Sequence, residues 1–341
     1  MDILPPLPPP RFVPPIPICD IFENDEVKMR EFKEEFLQMS PDEIYELVKI
    51  KFKHFNVENE QIKYELNVLV IIYGFLSNYL SDYCTIIIKG GKVIQQWYKT
   101  SSTDVDIMII PLNPSMDDSY LVKIAEYICD FVLWVKNDNL SVKKPLDGII
   151  SEKTVYKISK QMGPGYFIAL SDIGIGYNHL NDYIKTLYTS EICPHEILEK
   201  NLKFNTLCSA AFIKEKIFYV SKYNYLLQNG LVQNPIDINN MIYFIRKANE
   251  QLGTLEICED IYKDSFNEML VEAINGATDE LIKMNALHKK DKPTFKRINT
   301  IYFHFICSHL KSFKKMAKGY RRTKKNNHRK KIRKSKRNYL K

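Results

Sequence analysis

Two short apolar runs, each bounded by glycine or carboxylate, constrain this chain more than any other feature. Thr85-Ile86-Ile87-Ile88 is β-branched and closes on Gly90-Gly91. Val105 to Ile110 is a second such run, entered through Asp104-Val105-Asp106 and closed by Pro111. β-branched side chains suit the pleated, half-buried surface of a sheet. Side chains alternate along a strand, so Asp104 and Asp106 leave one face while Val105 and Ile107 point into the core from the other. A sheet therefore has to form here, with two carboxylates side by side on it.

The flanking sequence is helical. Ser40-Pro41-Asp42-Glu43 has the form of a helix start, with Ser as N-cap and Glu placed for a capping box. Glu60 to Tyr83 carries Leu66, Leu69, Ile72, Phe75, Leu76 and Leu80 at helical spacing, which predicts a long buried helix. Val93 to Tyr98 can form a helical turn or two. Ser115 to Asp118 caps a further helix reaching about Lys136. Thr154 to Ser159 and Tyr166 to Gly174 read as strands joined by a Met-Gly-Pro-Gly turn. From about Leu202 the pattern is helical, over Thr206–Leu227, Ile236–Leu252, Ser265–Ile274 and Thr294–Met316. Ser265 with Glu268 fits a capping box, and Gly276 fits a C-cap. The expected fold class is α+β, a small mixed sheet flanked by N-terminal helices and a helical C-terminal domain. The expected divisions are a proline-rich leader (1–24), an N-terminal helical region (25–83), a catalytic domain (84–200), a helical domain (201–316) and a basic tail (317–341).

Composition excludes several classes. No apolar run approaches the ~20 residues of a membrane helix, and the proline-rich start lacks the pattern of a signal peptide. A soluble intracellular protein without a membrane partner is expected. The seven cysteines show no CxxC pair, which argues against a zinc site and predicts free thiols. The net charge of +8 is unevenly spread. Lys311 to Lys341 holds 16 Lys and Arg and no acidic residue, so residues 1–310 are net acidic. Such a basic block is expected to be disordered when free, and it suits a phosphate backbone. Lys214, Lys216, Lys222, Arg246 and Lys247, on predicted helices, are candidates for a local RNA-binding patch.

The chemistry concentrates between residues 86 and 172. Gly90-Gly91 ends a strand and opens a short helix, where bare backbone can approach a polyphosphate. Lys92 adds a positive charge there. Asp104 and Asp106 offer hard oxygen ligands to Mg²⁺. Asp172, in Tyr166-Phe-Ile-Ala-Leu-Ser-Asp172-Ile-Gly, sits in an apolar strand, where a carboxylate is costly unless paired or ligating.

Gly90-Gly91, then twelve intervening residues, then Asp104-Val105-Asp106, then Asp172 resembles the signature of the nucleotidyltransferase superfamily that includes DNA polymerase beta and the poly(A) polymerases. The resemblance is nearest to the poly(A) polymerase catalytic subunits of poxviruses and other large DNA viruses. It implies that Asp104 and Asp106 bind two Mg²⁺ (or Mn²⁺) ions and that Asp172 binds the one activating an attacking 3′-hydroxyl. Gly90, Gly91 and a hydroxyl of Ser101 or Ser102 would hold the triphosphate. The implied partners are ATP or another nucleoside triphosphate and an RNA 3′ end, with a processivity subunit or a second copy of the chain as further candidates. Lys92 departs from the pattern, since many relatives have a small residue there.

Overall fold

A computed structural model of the chain describes residues 26–40, 43, 60–95, 104–113, 115–136, 139–145, 150–197, 202–232, 238–249 and 266–306. The expected leader, the basic tail, Ser101 and Ser102 lie outside the described residues. The α+β class holds. Helix α1 spans Glu26–Gln38, and α2 spans Glu60–Ile71 before a π turn at Ile72–Leu76 and a last turn at Ser77–Tyr79. The predicted capping box beyond α1 is formed: Glu43 N–H donates to Ser40 Oγ (3.2 Å) and Ser40 N–H donates to Glu43 Oε2 (2.7 Å).

The sheet uses strands β1 (Cys84–Lys89), β2 (Val105–Pro111), β3 (Leu140–Lys143), β4 (Val155–Gly163), β5 (Tyr166–Gly174), β6 (Ile192–Ile197) and β7 (Leu202–Leu207). Their spatial order is β3-β4-β5-β2-β1-β7-β6. β1 and β2 are antiparallel, whereas β2 and β5 run parallel. Between β1 and β2 lies α3 (Gly91–Gln95), and α4 (Asp118–Lys136) follows β2. The helical remainder is α5 (Asp182–Ser190), α6 (Ser209–Gln228), α7 (Ile238–Asn249), α8 (Phe266–Lys283) and α9 (292–306).

Alternation along the strands sorts the two faces. Ile86, Ile88, Val105, Ile107, Ile109, Tyr156, Ile158 and Ile173 pack with residues of α2, the π turn and α4 such as Leu69, Ile72, Ile124 and Val132. The other face sends Ile87, Met108 and Ile110 against Ile184, Leu187, Tyr188 and Phe218 of α5 and α6. A third core joins α6 to α8 and α9 through Ile213, Ile217, Met269, Ile274 and Phe303. At ~25 cal/mol per Å² of apolar surface removed from water, these three clusters supply the main stabilisation.

Three expectations fail, for identifiable reasons. Helix does not begin near Leu202: β6 and β7 form a hairpin, and β7 joins β1 in parallel through Ile88 and Thr206. The sheet therefore crosses the expected boundary at residue 200. Cross-strand pairing across more than a hundred residues is not visible to local periodicity. Gly276 does not cap a helix, since α8 continues to Lys283. A Cβ there would lie 2.7 Å from the Tyr183 ring, so the glycine admits the close approach of α5. Finally, Cys208 is disulfide-bonded, while Cys84 and Cys129 are the expected buried free thiols.

Candidate metal centre

The pairing register, rather than any single strand, builds the site. Asp106 stands directly opposite Asp172 across the parallel β2/β5 ladder. Asp106 is also opposite Lys89 on β1, and Asp172 is opposite Lys157 on β4. Directly opposed residues share a face, so Lys89, Asp106, Asp172 and Lys157 form one row across four strands. Asp104, two residues before Asp106, joins them at the mouth of β2. Ligand oxygens of Asp104, Asp106 and Asp172 lie within 4.8 Å of one another. Ser171, one residue earlier, donates from its buried hydroxyl to the Val105 carbonyl (2.8 Å), which fastens β5 to β2 beside the carboxylates.

Gly90 is required by the carboxylate itself. Its φ is +67°, and a Cβ added there would sit 1.9 Å from Asp106 Oδ2 and 2.8 Å from Asp106 Cγ. The left-handed conformation and the contact together exclude any side chain. Gly90→Ala should cost about 1–2 kcal/mol through backbone strain and should push Asp106 out of the cluster. Circular dichroism should show a retained fold, and the thermal shift produced by Mn²⁺ should disappear. A wild-type Mn²⁺ shift would contradict this reading of the turn.

Lys92 is not where a phosphate ligand would be. It is fully buried, and its ammonium is paired with Glu65 on α2, also fully buried. Burial pulls the ammonium below its ordinary range, and Glu65 opposes that shift, with Asp104 and Asp106 adding to the opposition. The lysines expected to form an RNA patch on α6 are likewise committed elsewhere. Lys214 bridges Glu191 (3.0 Å) and Glu272 (2.8 Å), and Lys222 reaches Glu280 (3.4 Å). Lys216 pairs with Glu215 (2.8 Å) but also lowers the pKa of Asp106 through its charge, which places it at the carboxylate site. The side chains of Arg246 and Lys247 lie outside the described residues.

Sequence reasoning missed Lys89, Lys157 and Glu65, and it assigned Lys216 to an RNA patch and not to the carboxylates whose charge it offsets. Lys157 Nζ bonds Asp172 Oδ2 at 2.5 Å, and this bond raises the Lys157 ammonium despite its partial burial. The only signal was that Lys157 sits between core residues Tyr156 and Ile158, a lysine on the polar side of an alternating strand.

The donor set suits a hard divalent cation. All three candidate donors are carboxylates, a set that suits Mg²⁺ or Mn²⁺ over softer metals. Asp172 Oδ1 is buried and accepts no hydrogen bond from any described group, so a cation bound there would satisfy it. Asp106 is raised from 3.8 to about 6, first by burial, with Asp104 and Asp172 pushing the same way and Lys89 and Lys216 opposing. A folded-state pKa above the unfolded one gives stability that is complete below the unfolded value and lost as pH rises through about 6. In EDTA, the thermal stability of Asp106→Asn should therefore gain on the wild type as pH rises from about 4 to 6. Parallel pH profiles for the two proteins would contradict that.

Fold and site together define an α+β protein whose mixed sheet carries a three-carboxylate cluster that could bind a metal. No known protein family matches the chain, and no curated protein matches it. Among solved structures, an antigenic nucleotidyltransferase-like protein from Paracoccidioides brasiliensis superposes on 68% of this chain and 93% of that one, at 14% identity and a TM-score of 0.34. So loose a superposition establishes neither a common fold nor a common activity.

Proposed function

We propose that the chain is a template-independent nucleotidyltransferase that adds AMP from ATP to RNA 3′ ends. The observation that carries the reading is the opposition of Asp106 to Asp172 across β2/β5, with Asp104 in the same cluster. The acceptor hydroxyl would give up its proton to solvent as its oxygen bonds to the α-phosphorus, while the bond from that phosphorus to the bridging oxygen breaks and pyrophosphate leaves with the electron pair. Positioning and charge dominate such a transfer. Asp104 and Asp106 would hold two divalent ions and Asp172 one of them; when bound, these ions supply positive charge to the attacking and leaving oxygens. Gly90 lets Asp106 sit flush against the turn, and Gly91 leaves the adjacent backbone bare. Lys89, Lys157 and Lys216 ring the carboxylates and would balance phosphate charge in place of the buried Lys92. The acceptor class rests on the resemblance and on the 16 Lys and Arg of the last segment.

A second reading keeps the transfer and changes the acceptor to a small molecule, a protein or a tRNA. It is favoured by one observation: Lys214 and Lys222, which would have lined an RNA path, are buried in ion pairs. Incubating the full chain with Mg²⁺ or Mn²⁺, a labelled RNA and each ribonucleotide separately tests both. An ATP-dependent ladder supports adenylate addition to RNA. Nucleotide consumption without RNA extension would move the acceptor to another class, and no pyrophosphate release under any condition would remove the transferase reading.

A further inference from the structure

We infer that the solvent-facing side of β3, β4 and β5 is a binding platform for the single-stranded 3′ segment of a nucleic acid, with Phe167 as its stacking residue. The inference rests on the proposed transferase reading and supplies the path of its acceptor.

The geometry follows from register. Lys157 lies on the carboxylate face of β4, and Ser159 and Gln161 share that face by alternation. Their partners carry the face sideways: Lys143 opposite Lys157, Ser141 opposite Ser159, Ala169 opposite Ser159 and Phe167 opposite Gln161. A bulge between Ile158 and Ser159 absorbs Leu170 into the core, so Ala169 and Phe167 return to the carboxylate side. Three rows result. The first is Lys143, Lys157, Asp172 and Asp106; the second is Ser141, Ser159 and Ala169; the third is Gln161 and Phe167.

The chemistry of these rows suits one occupant. The opposite face of the same strands is core, with Tyr156 and Ile158 buried. On the carboxylate side, Ser141, Lys143, Lys157 and Gln161 are exposed. The middle row holds only small side chains, so a flat ligand can lie against the sheet. Phe167 is 50% exposed, so its ring is open to a stacking base. Positive charge from Lys143 and Lys157 borders the row nearest the carboxylates, complementary to a phosphate backbone. From Lys157 to Gln161 the strand covers about 13 Å at ~3.3 Å per residue. That is the length of about four stacked nucleotides at ~3.4 Å each. A chain whose 3′-hydroxyl reaches Asp172 would thus place an upstream base at Phe167, and any base can stack there because every base has a π face.

Binding is measurable without catalysis. A fluorescently labelled single-stranded oligoribonucleotide should be titrated with the full chain in EDTA, without nucleotide. Phe167→Ala should weaken binding about ten- to hundred-fold, while Phe167→Trp should bind as the wild type does. Lys143→Ala should weaken binding and lower the salt slope by about one. Phe167 is exposed, so circular dichroism should show an unchanged fold. Oligoribonucleotide affinity unmoved by Phe167→Ala would overturn the platform, as would a variant that loses binding to a duplex and a single strand equally. The two readings fail separately. Phe167-dependent binding without nucleotide transfer would remove the transferase and keep the platform. Transfer with an unchanged acceptor KM in Phe167→Ala would do the reverse.

Discussion

Asp106→Ala should abolish nucleotidyl transfer, by at least ~10³-fold, and leave the fold intact. Bound divalent cations contribute several kcal/mol of charge stabilisation to such a reaction, and each ~1.4 kcal/mol is a factor of ten in rate. Asp106 is the most enclosed of the three carboxylates by its neighbours. It is opposed to Asp172 on one side and to Lys89 on the other, and Gly90 packs against its carboxylate. Asp104→Ala should behave alike, and Asp172→Ala should cost nearly as much. The fold should survive because the carboxylate is held under stress: ionised, it is disfavoured by burial and by two neighbouring acids. Removing it relieves that repulsion, the usual tension between a working site and stability. Pyrophosphate release and RNA extension, measured beside a thermal melt, check both halves. A variant retaining a near-wild-type rate would remove the assignment.

The second large effect concerns stability. Lys92 and Glu65 are both fully buried, and they tie α2 to the turn that carries Gly90 and Gly91. Breaking a buried pair by removing one partner leaves an uncompensated charge and costs about 3–5 kcal/mol. Lys92→Met alone, or Glu65→Leu alone, should therefore lower the midpoint of urea unfolding sharply. The double variant should recover most of the loss, because a buried pair replaced by apolar residues of similar volume is often neutral or stabilising. The same double variant also decides what Lys92 does. A lysine that serves the core can be replaced with transfer kept within a few fold, whereas a lysine holding a triphosphate cannot. Recovered stability with lost transfer would return Lys92 to the nucleotide site.

The strands that carry the carboxylates were legible because they are local. β-branched composition marks β1 and β2, and Tyr166 to Gly174 is β5 at both ends. Alternation alone puts Asp104 and Asp106 on one face. The convergence of Asp172 on Asp106 depends on a parallel pairing whose register no local pattern encodes; the apolar strand around Asp172 marked it as paired or ligating, and the resemblance supplied its partner. Non-local pairing also hid β3, the β6/β7 hairpin and the lysines facing the carboxylates. Lys92 misled for a different reason. A lysine beside two glycines looks like a phosphate ligand, and nothing nearby announces that Glu65, on a helix before the sheet, will meet it. Lys214 and Lys222 misled likewise, since charge on a helix reads as surface until Glu191, just past α5, and Glu272 and Glu280 of α8 are placed against it.

The proposed function needs Asp104, Asp106 and Asp172 to form one centre for a divalent cation. Crystals of the full chain soaked in Mn²⁺ and recorded with anomalous scattering test it directly. An anomalous peak should appear among the three carboxylates, with Lys157 released from Asp172, and should be missing in Asp106→Asn. Wild-type crystals with Mn²⁺ bound only elsewhere, or with the Lys157–Asp172 pair intact in saturating Mn²⁺, would contradict it.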